Sequence, residues 1–458
     1  MSFLSSLKRE QKEAIGLLQI GTFLEYFDLM LYVHMAVLLN ELFFPKTDPH
    51  TAALLSGFAF CTTYILRPFG ALIFGYIGDN IGRKTTVIIT TMMMSMSCVI
   101  MANLPTYAEI GITAAWVVTI CRMVQGMSSM GEIMGAEIYI TEMTKPPVQY
   151  PAVASIGVAS CVGATAALGV ASLVTIIGFN WRIAFWIGAC IAVIGSVART
   201  RLRETPEFVD MKRKIQKEIY EKLLLGGIPE TKTSAISQYI ARCKQEKINK
   251  KTLFACFLIQ CGWPLSFYLA YMYFNPLLKT GCGYSVNDII IHNFFLSIVI
   301  LTSETIWAKL SYRIYPLKIL KERLKAFSFL ILLLPFILLY ELNHYQIFAL
   351  QSFLLIVCLY SGTGDAIMIK ALPVFKRFTT TSFMYALSRA LVYIITSLGL
   401  VYITESIGHY GIWIVALPIC IGFLWGVNYF EKLENKKQNK PRVYIPPSTN
   451  PSEIKLTG

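Results

Sequence analysis

Acidic side chains interrupt the first long apolar stretch of this sequence, where they could take part in proton transfer. Glu25 and Asp28 are three residues apart and Tyr32 follows one turn later, so all three share one face of a helix. Two carboxylates this close do not both ionise easily, and one of them can hold a proton near neutral pH. The spacing predicts a proton-coupling site. The alternative is that both acids form structural ion pairs with arginines elsewhere in the chain.

Further charged and polar residues lie within the other apolar stretches, where a charge needs a partner or a watery cavity. Arg122 is predicted to take part in proton coupling or to meet a substrate charge. The predicted substrate-binding residues are Tyr32, Arg67, Gln125, Glu132 and Arg389. Glu137 is a further candidate for the cavity. In the second half the remaining intramembrane charges are Glu304, Asp365 and Arg389, for which substrate contact and interhelical pairing are the two alternatives.

A short glycine-rich link carries the order G-x3-D-x2-G-R-K between two apolar stretches. Its residues are Gly75, Asp79, Gly82, Arg83 and Lys84. Glycines let two helices approach closely, the aspartate can face a helix N-terminus, and the arginine can hold a carboxylate. Glu142, at the end of the fourth stretch, is predicted at the same depth as the arginine.

The elements that position these residues are membrane-spanning helices. The 458 residues are 55% hydrophobic and 15% charged, which excludes an ordinary soluble enzyme or a disordered chain. Twelve apolar blocks are long enough to span a bilayer, arranged as six, a polar loop and six. We therefore predict an all-α integral membrane protein with an N-terminal bundle at 1–200, a central loop at 201–251, a C-terminal bundle at 252–430 and a disordered tail at 431–458.

The net charge of +14 is explained by position. Most Lys and Arg residues, among them Arg199, Arg323, Lys370 and Arg377, fall in segments that lie on one side if both termini are cytoplasmic. Only Lys46, Arg182 and Lys279 fall on the other side. This bias follows the positive-inside rule and argues against a nucleic-acid partner. The 11 cysteines are scattered without a CxxC pair, so we predict neither a disulfide framework nor a metal site.

The motifs resemble those of the major facilitator superfamily, and within it the metabolite:proton symporters, the group that includes proline/betaine transporters. The first-span pattern matches Gly21, Glu25, Tyr26, Phe27 and Asp28. The R-P-x-G pattern and the link after it match Arg67, Pro68, Gly70, Gly75, Asp79, Gly82, Arg83 and Lys84. The fourth-span pattern matches Gln125, Gly126, Gly131, Glu132 and Gly135, and the L-x-E-T-P-x-F pattern matches Leu202, Glu204, Thr205, Pro206 and Phe208.

The resemblance implies a twelve-helix fold and proton-coupled symport of a small polar metabolite or osmolyte, either a proline- or betaine-like zwitterion or a carboxylate. It implies a monomeric bacterial inner-membrane transporter that is not an enzyme and uses no cofactor. An organic-solute antiporter and a non-transporting receptor or scaffold are the alternatives. Asp79, Arg83 and Glu142 would close the cytoplasmic side. The second half lacks the equivalent acid, because Ala308, Tyr312 and Tyr315 stand where the family places Gly, Asp and Gly.

Overall fold

A computed structural model describes residues 7–34, 39, 42–44, 64–177, 180–200, 202–214 and 247–438. These residues are mostly helical and contain no β-strand. Among them, six helices are long and apolar enough to cross a membrane by length and composition. The predicted second span enters the described part only at residue 64. Residues 215–246 of the predicted central loop and 439–458 of the predicted tail lie outside it.

The first half contributes six helices, numbered α1 to α6 in chain order. Their bounds are Arg9–His34, Arg67–Asn80, Arg83–Asn103, Ile112–Met143, Gln149–Ile177 and Trp181–Arg199. Pro68 occupies the first turn of α2, where its missing N–H costs nothing. Only Ile81 and Gly82 separate α2 from α3. A single helical turn at Tyr107–Ile110 precedes α4.

The second half contributes six further helical segments, three of which are interrupted. The segment α7 consists of Lys250–Gln260, Gly262–Phe267, a π-helical turn at Tyr268–Met272 and Phe274–Gly281. The helices α8 and α9 span Val286–Leu310 and Pro316–Ile337, and α10 comprises His344–Ile356 and Asp365–Lys370. The segment α11 comprises Val374–Ile394, a π-helical turn at Ile395–Gly399 and Leu400–Ile407, and α12 spans Gly411–Gln438. The described residues thus form twelve segments, as the sequence predicts.

Local signals explain where several of these helices begin. Ser285 and Asp288 form a reciprocal capping box at the start of α8, and Asn343 and Gln346 form another at the start of α10. Pro316 fills the first position of α9. The gap between the two parts of α10 is the segment 357–364, and it places Asp365 at the start of a new helical turn deep in the bundle.

The two halves meet along two helix pairs, α2 against α11 and α5 against α8. Gly75 makes the first contact possible, because a Cβ atom at this position would lie 2.5 Å from the Cα atom of Thr379. Within the first half, α1 packs on α5 and α3 packs on α6 and α4. Side chains on α1, α4, α7, α10 and α11 therefore face a common interior.

Candidate functional site

The first predicted acid, Glu25, forms a loose ion pair with Arg67 of α2. The shortest nitrogen–oxygen distance between them is 3.8 Å, and both side chains are almost completely buried. Neither carboxylate oxygen of Glu25 has a hydrogen-bond partner of normal geometry among the described residues. The Arg67 guanidinium lies over the ring of Tyr64, 4.7 Å from its centroid. Glu25 is therefore a buried acid whose negative charge is incompletely stabilised.

The second predicted acid, Asp28, is held much more tightly. Arg122 of α4 donates to it at 3.1 Å and also donates to the side-chain oxygen of Gln125 at 2.8 Å. The Cys98 thiol contacts the other carboxylate oxygen at 3.6 Å. Each of the two acids thus has its own arginine. These are the structural ion pairs that were the alternative to a proton-coupling site, and the two pairs differ clearly in geometry. Tyr32 lies on α1, and its side chain is outside the described part.

Glu132 belongs to a third buried ion pair, which lies away from the central cavity. Arg199 donates to it, and the hydroxyls of Thr90 and Thr91 donate at 3.0 Å and 2.6 Å. Arg199 also donates to the carbonyl of Leu18 at 2.9 Å. The sequence reasoning counted Arg199 among the solvent-facing charges of the central loop. The structure corrects this, since the position at the end of an apolar helix brings it to a buried acid.

The glycine-rich link places Arg83 at the centre of a charge network at one end of the bundle, which we call the motif end. Arg83 is fully buried and makes two hydrogen bonds to Glu142 at 3.1 and 3.2 Å. It also reaches across to the second half, where it donates to the carbonyl of Val374 at 2.6 Å. Arg377 of α11 donates to Glu142 at 2.9 Å. One carboxylate therefore joins arginines from both halves.

Asp79 makes a second connection between the halves. Its two oxygens accept the backbone N–H groups of Phe378 and Thr379 in α11 at 2.9 and 2.8 Å. A carboxylate is favourable near the N-terminus of a helix, where the helix dipole is positive. The N-terminal region of α11 is thus bound by an acid from α2.

The turn between α2 and α3 is stabilised by Glu204, which follows α6. Its carboxylate accepts the backbone N–H groups of Arg83 and Lys84 at 3.1 and 3.3 Å. Burial raises the pKa of this carboxyl. Gly82 has a φ of 153° and no room for a side chain, because a Cβ atom would collide with Glu204. Lys84 enters the network through its backbone.

Sequence reasoning missed three members of the motif-end network. Glu207, after α6, pairs with Lys370 and with Arg377 at 2.9 Å. The sequence reasoning treated Lys370 and Arg377 only as loop charges that report orientation. The sequence did contain a signal for this network: Lys370 and Arg377 lie on either side of the start of α11, and Asp79 lies at the α2–α3 link opposite them.

A small polar cavity of about 10 Å³ lies between the two halves at the level of Tyr26. Glu137 of α4 and Asp365 of α10 line it from opposite halves, and Arg389 of α11 lines it between them. Gln260 bridges two of these groups, since it accepts from Arg389 at 3.3 Å and donates to Asp365 at 3.2 Å. This arrangement includes the predicted Arg389 and Glu137, which was a candidate for the cavity. It also includes Asp365, for which substrate contact and interhelical pairing were the two alternatives.

An aromatic cavity of about 40 Å³ adjoins the polar one. Tyr26 lines both cavities, and its hydroxyl lies 3.2 Å from that of Tyr385. Trp263, Phe267 and Tyr271 of α7 supply the other aromatic walls. Aromatic faces attract organic cations, so the two cavities together offer contacts for both charges of a small zwitterion. Among the described residues, no group of His, Cys, Asp and Glu could hold a metal ion.

Two helical halves, a polar cavity between them and charges that join them at one end define a multi-pass membrane protein. The chain belongs to the Major Facilitator Superfamily, whose family model matches residues 18–388.

Its relatives are transport proteins. The chain is 29% identical over 281 residues to the proline/betaine transporter of Escherichia coli (strain K12), which covers 60% of this chain and 54% of the relative. It is 34% identical over 199 residues to the inner membrane metabolite transport protein YhjE of the same strain, covering 41% of this chain and 45% of the relative. The match thus spans about half the length of these curated relatives.

Solved structures share the fold. A proton:xylose symporter bound to 6-bromo-6-deoxy-D-glucose superposes with a TM-score of 0.70 at 16% identity, covering 92% of this chain and 95% of the symporter. The human organic anion transporter MFSD10 superposes with a TM-score of 0.63 at 14% identity, covering 93% of this chain and all of that chain (100%). These similarities confirm the predicted major facilitator fold. The roles predicted for individual residues stay predictions.

Proposed function

We propose that this protein is a proton-driven symporter for a small zwitterion, and that it works by alternating access in a bacterial inner membrane. One observation carries the proposal: the closed cavity between the halves holds Arg389 beside two carboxylates and adjoins an aromatic cavity. A site with both charges and aromatic faces is suited to a molecule with a carboxylate and an ammonium group. The names of the proline/betaine relatives support the same substrate class.

In this proposal Arg389 binds the substrate carboxylate. Its guanidinium lies over the Tyr385 ring and donates to Gln260. It makes no ion pair within 4 Å with an acid among the described residues. A planar guanidinium with unused donors suits a carboxylate. The ammonium end of the substrate would lie against Tyr26 and Trp263, where cation–π attraction contributes about 0.5–2 kcal/mol. Arg67, Gln125 and Glu132, also predicted to bind substrate, would instead support α1 and α4.

Proton coupling is proposed at Glu25 and Asp28, with Arg122 as the partner of Asp28. Glu25 is the easier acid to protonate, because its ion pair with Arg67 is 3.8 Å long and neither of its oxygens has a hydrogen-bond partner of normal geometry in the part of the chain that the structure describes. Asp28 is bound at 3.1 Å by Arg122 and would lose that pair on protonation. We therefore expect Asp28 to respond to larger rearrangements of α1 against α4.

Alternating access requires the motif end to open and close. We propose that this end is cytoplasmic, as the distribution of Lys and Arg favours, and that Asp79, Arg83 and Glu142 are its gate. The closed contacts described above would then belong to a state in which the cavity is shut from the cytoplasm. Gly75, Gly82 and Lys84 shape the link that carries the gate.

Transport into liposomes tests the proposal. The purified full chain is reconstituted with an alkaline interior, and uptake of labelled proline and glycine betaine is measured with and without a protonophore. We expect accumulation that collapses when the pH gradient is removed. Glu25→Gln and Asp28→Asn should abolish accumulation and leave exchange of internal for external substrate.

The matched control is Glu322→Gln, which removes an exposed carboxylate of α9 that pairs with nearby Lys325. It should accumulate substrate as the unmodified protein does. Uptake that ignores the gradient would contradict symport, and efflux driven by an inward proton gradient would indicate the antiporter. Binding of substrate without any transport would favour the receptor alternative.

A further inference from the structure

Two buried carboxylates, Glu137 and Asp365, and the guanidinium of Arg389 line the polar cavity, so one negative charge is left over. The charged neighbours of Glu137 are Asp365, Arg389 and Glu25. Glu25 is in turn near Arg67 and Arg389. An uncompensated charge in a buried site is strongly unfavourable. One additional positive charge therefore belongs in this site when no substrate is present.

Other buried charges of the first half do not change this balance. Asp28 has its own arginine in Arg122, and Glu132 has its own in Arg199. The tyrosines that face the acids are neutral donors or acceptors.

Among the three acids, Glu137 is the least satisfied. It is 3% exposed, it makes no ion pair within 4 Å with a described residue, and its Oε2 atom has no hydrogen-bond partner there. Asp365 by contrast accepts from Gln260, and Glu25 faces Arg67 at 3.8 Å. A carboxylate that has no ion pair within 4 Å and one oxygen without a partner is a group at which an added proton removes a large cost.

We infer that Glu137 binds a proton when the cavity is closed and empty, and that this proton allows Glu137 and Asp365 to be buried together at the contact of the two halves. The proton adds to a carboxylate oxygen of Glu137 and converts it to a neutral carboxylic acid, which can donate a hydrogen bond. This site is separate from the one proposed at Glu25 and Asp28. Only its role within a transport cycle rests on the proposed function.

The location of the pair gives the proton a mechanical effect. Glu137 belongs to the first half and Asp365 to the second. Two ionised carboxylates would repel each other across the contact, whereas one proton removes the repulsion. Closure of the motif end therefore depends on protonation of Glu137 even without a pH gradient or substrate.

The closure can be followed with a pair of spin labels on exposed residues of the motif end. Lys145→Cys and Lys318→Cys are labelled in the full chain, with Cys190 and Cys243 replaced by serine, and the inter-label distance is measured in lipid nanodiscs without substrate. As the pH rises, the closed population should fall, by at most about tenfold per pH unit, which is the limit for one proton. Glu137→Gln, which mimics the protonated acid, should keep the closed population unchanged with pH.

Asp365→Asn provides a second variant in which the repulsion is also removed, and it too should lose the pH dependence. Glu322→Gln should keep the response of the unmodified protein. In infrared spectra, the band of a buried protonated carboxylic acid should disappear in Glu137→Gln. A band and a pH response that both persist in Glu137→Gln would overturn the inference. Because neither measurement requires transport, that outcome is distinct from failure of proton-driven uptake.

Discussion

The two halves of the molecule close the motif end with different chemistry. In the first half, the link between α2 and α3 brings Asp79 and Arg83 to the start of α11, where they bind backbone groups and Glu142. At the equivalent position of the second half, between α8 and α9, Tyr315 packs edge-on against Tyr150 of α5 with ring centroids 6.4 Å apart. One contact is ionic and buried, and the other is aromatic. The difference indicates that closure depends mainly on the α2–α11 side.

The largest effect is expected for Arg83→Ala. The substitution leaves Glu142 with fewer partners and removes the donor to Val374, and breaking a buried pair in this way costs about 3–5 kcal/mol. The label pair at residues 145 and 318 should report a mostly open motif end. A closed population equal to that of the unmodified protein would show that the charge network does not hold the halves together.

Asp79→Asn should have a smaller effect, because the amide keeps the shape but provides one acceptor oxygen in place of two charged ones. Hydrogen bonds to a charged group contribute about 1.5–3 kcal/mol. We expect a partly open motif end in the same distance measurement. Asn80→Asp in the Asp79→Asn background is the control, since it restores the charge one residue away without restoring the contacts. Closure by this control would mean that charge alone matters.

Tyr315→Ala should weaken closure least among the contacts between the halves, since an edge-to-face aromatic pair contributes about 0.5–1.5 kcal/mol beyond its buried area. The label distance should change slightly, and Tyr315→Phe should behave as the unmodified protein. An opening as large as that of Arg83→Ala would reverse the comparison between the two sides.

The smallest expected effect is a pH dependence at Glu204. Because burial raises the pKa of its carboxyl, its contribution to stability is present below the unfolded value of about 4.3 and is lost as the pH rises through the raised pKa. The thermal unfolding midpoint should therefore fall as the pH rises over this range, and Glu204→Gln should remove that fall. A pH profile that is identical in the variant would contradict this assignment.

Much of the fold could be predicted because bilayer thickness dictates apolar length. The twelve segments and the close approach at Gly75 follow from composition and motif spacing, whereas the joining of Arg83 to Glu142 follows from the resemblance to the family. The pairing of Glu25 with Arg67 and of Asp28 with Arg122 could not be chosen over other pairings, because helical periodicity gives the face of one helix and not its neighbour.

Buried charges near helix ends were the hardest to place. Arg323 was predicted among solvent-facing charges between α8 and α9, but it lies within α9 and pairs with Glu304 at 2.5 Å. Arg199 and Arg377 were treated in the same way and are also buried. Hydropathy identifies an arginine as polar, whereas its burial depends on an acid from a distant part of the chain.

Proton movement that accompanies substrate entry is the most direct test of proton-coupled symport. Liposomes that contain the protein and a trapped pH-sensitive dye are mixed with glycine betaine or proline at equal internal and external pH. We expect the interior to become acidic as substrate enters, and we expect Asp28→Asn to abolish the acidification while Glu322→Gln does not. Substrate entry without any change in internal pH would contradict proton-coupled symport.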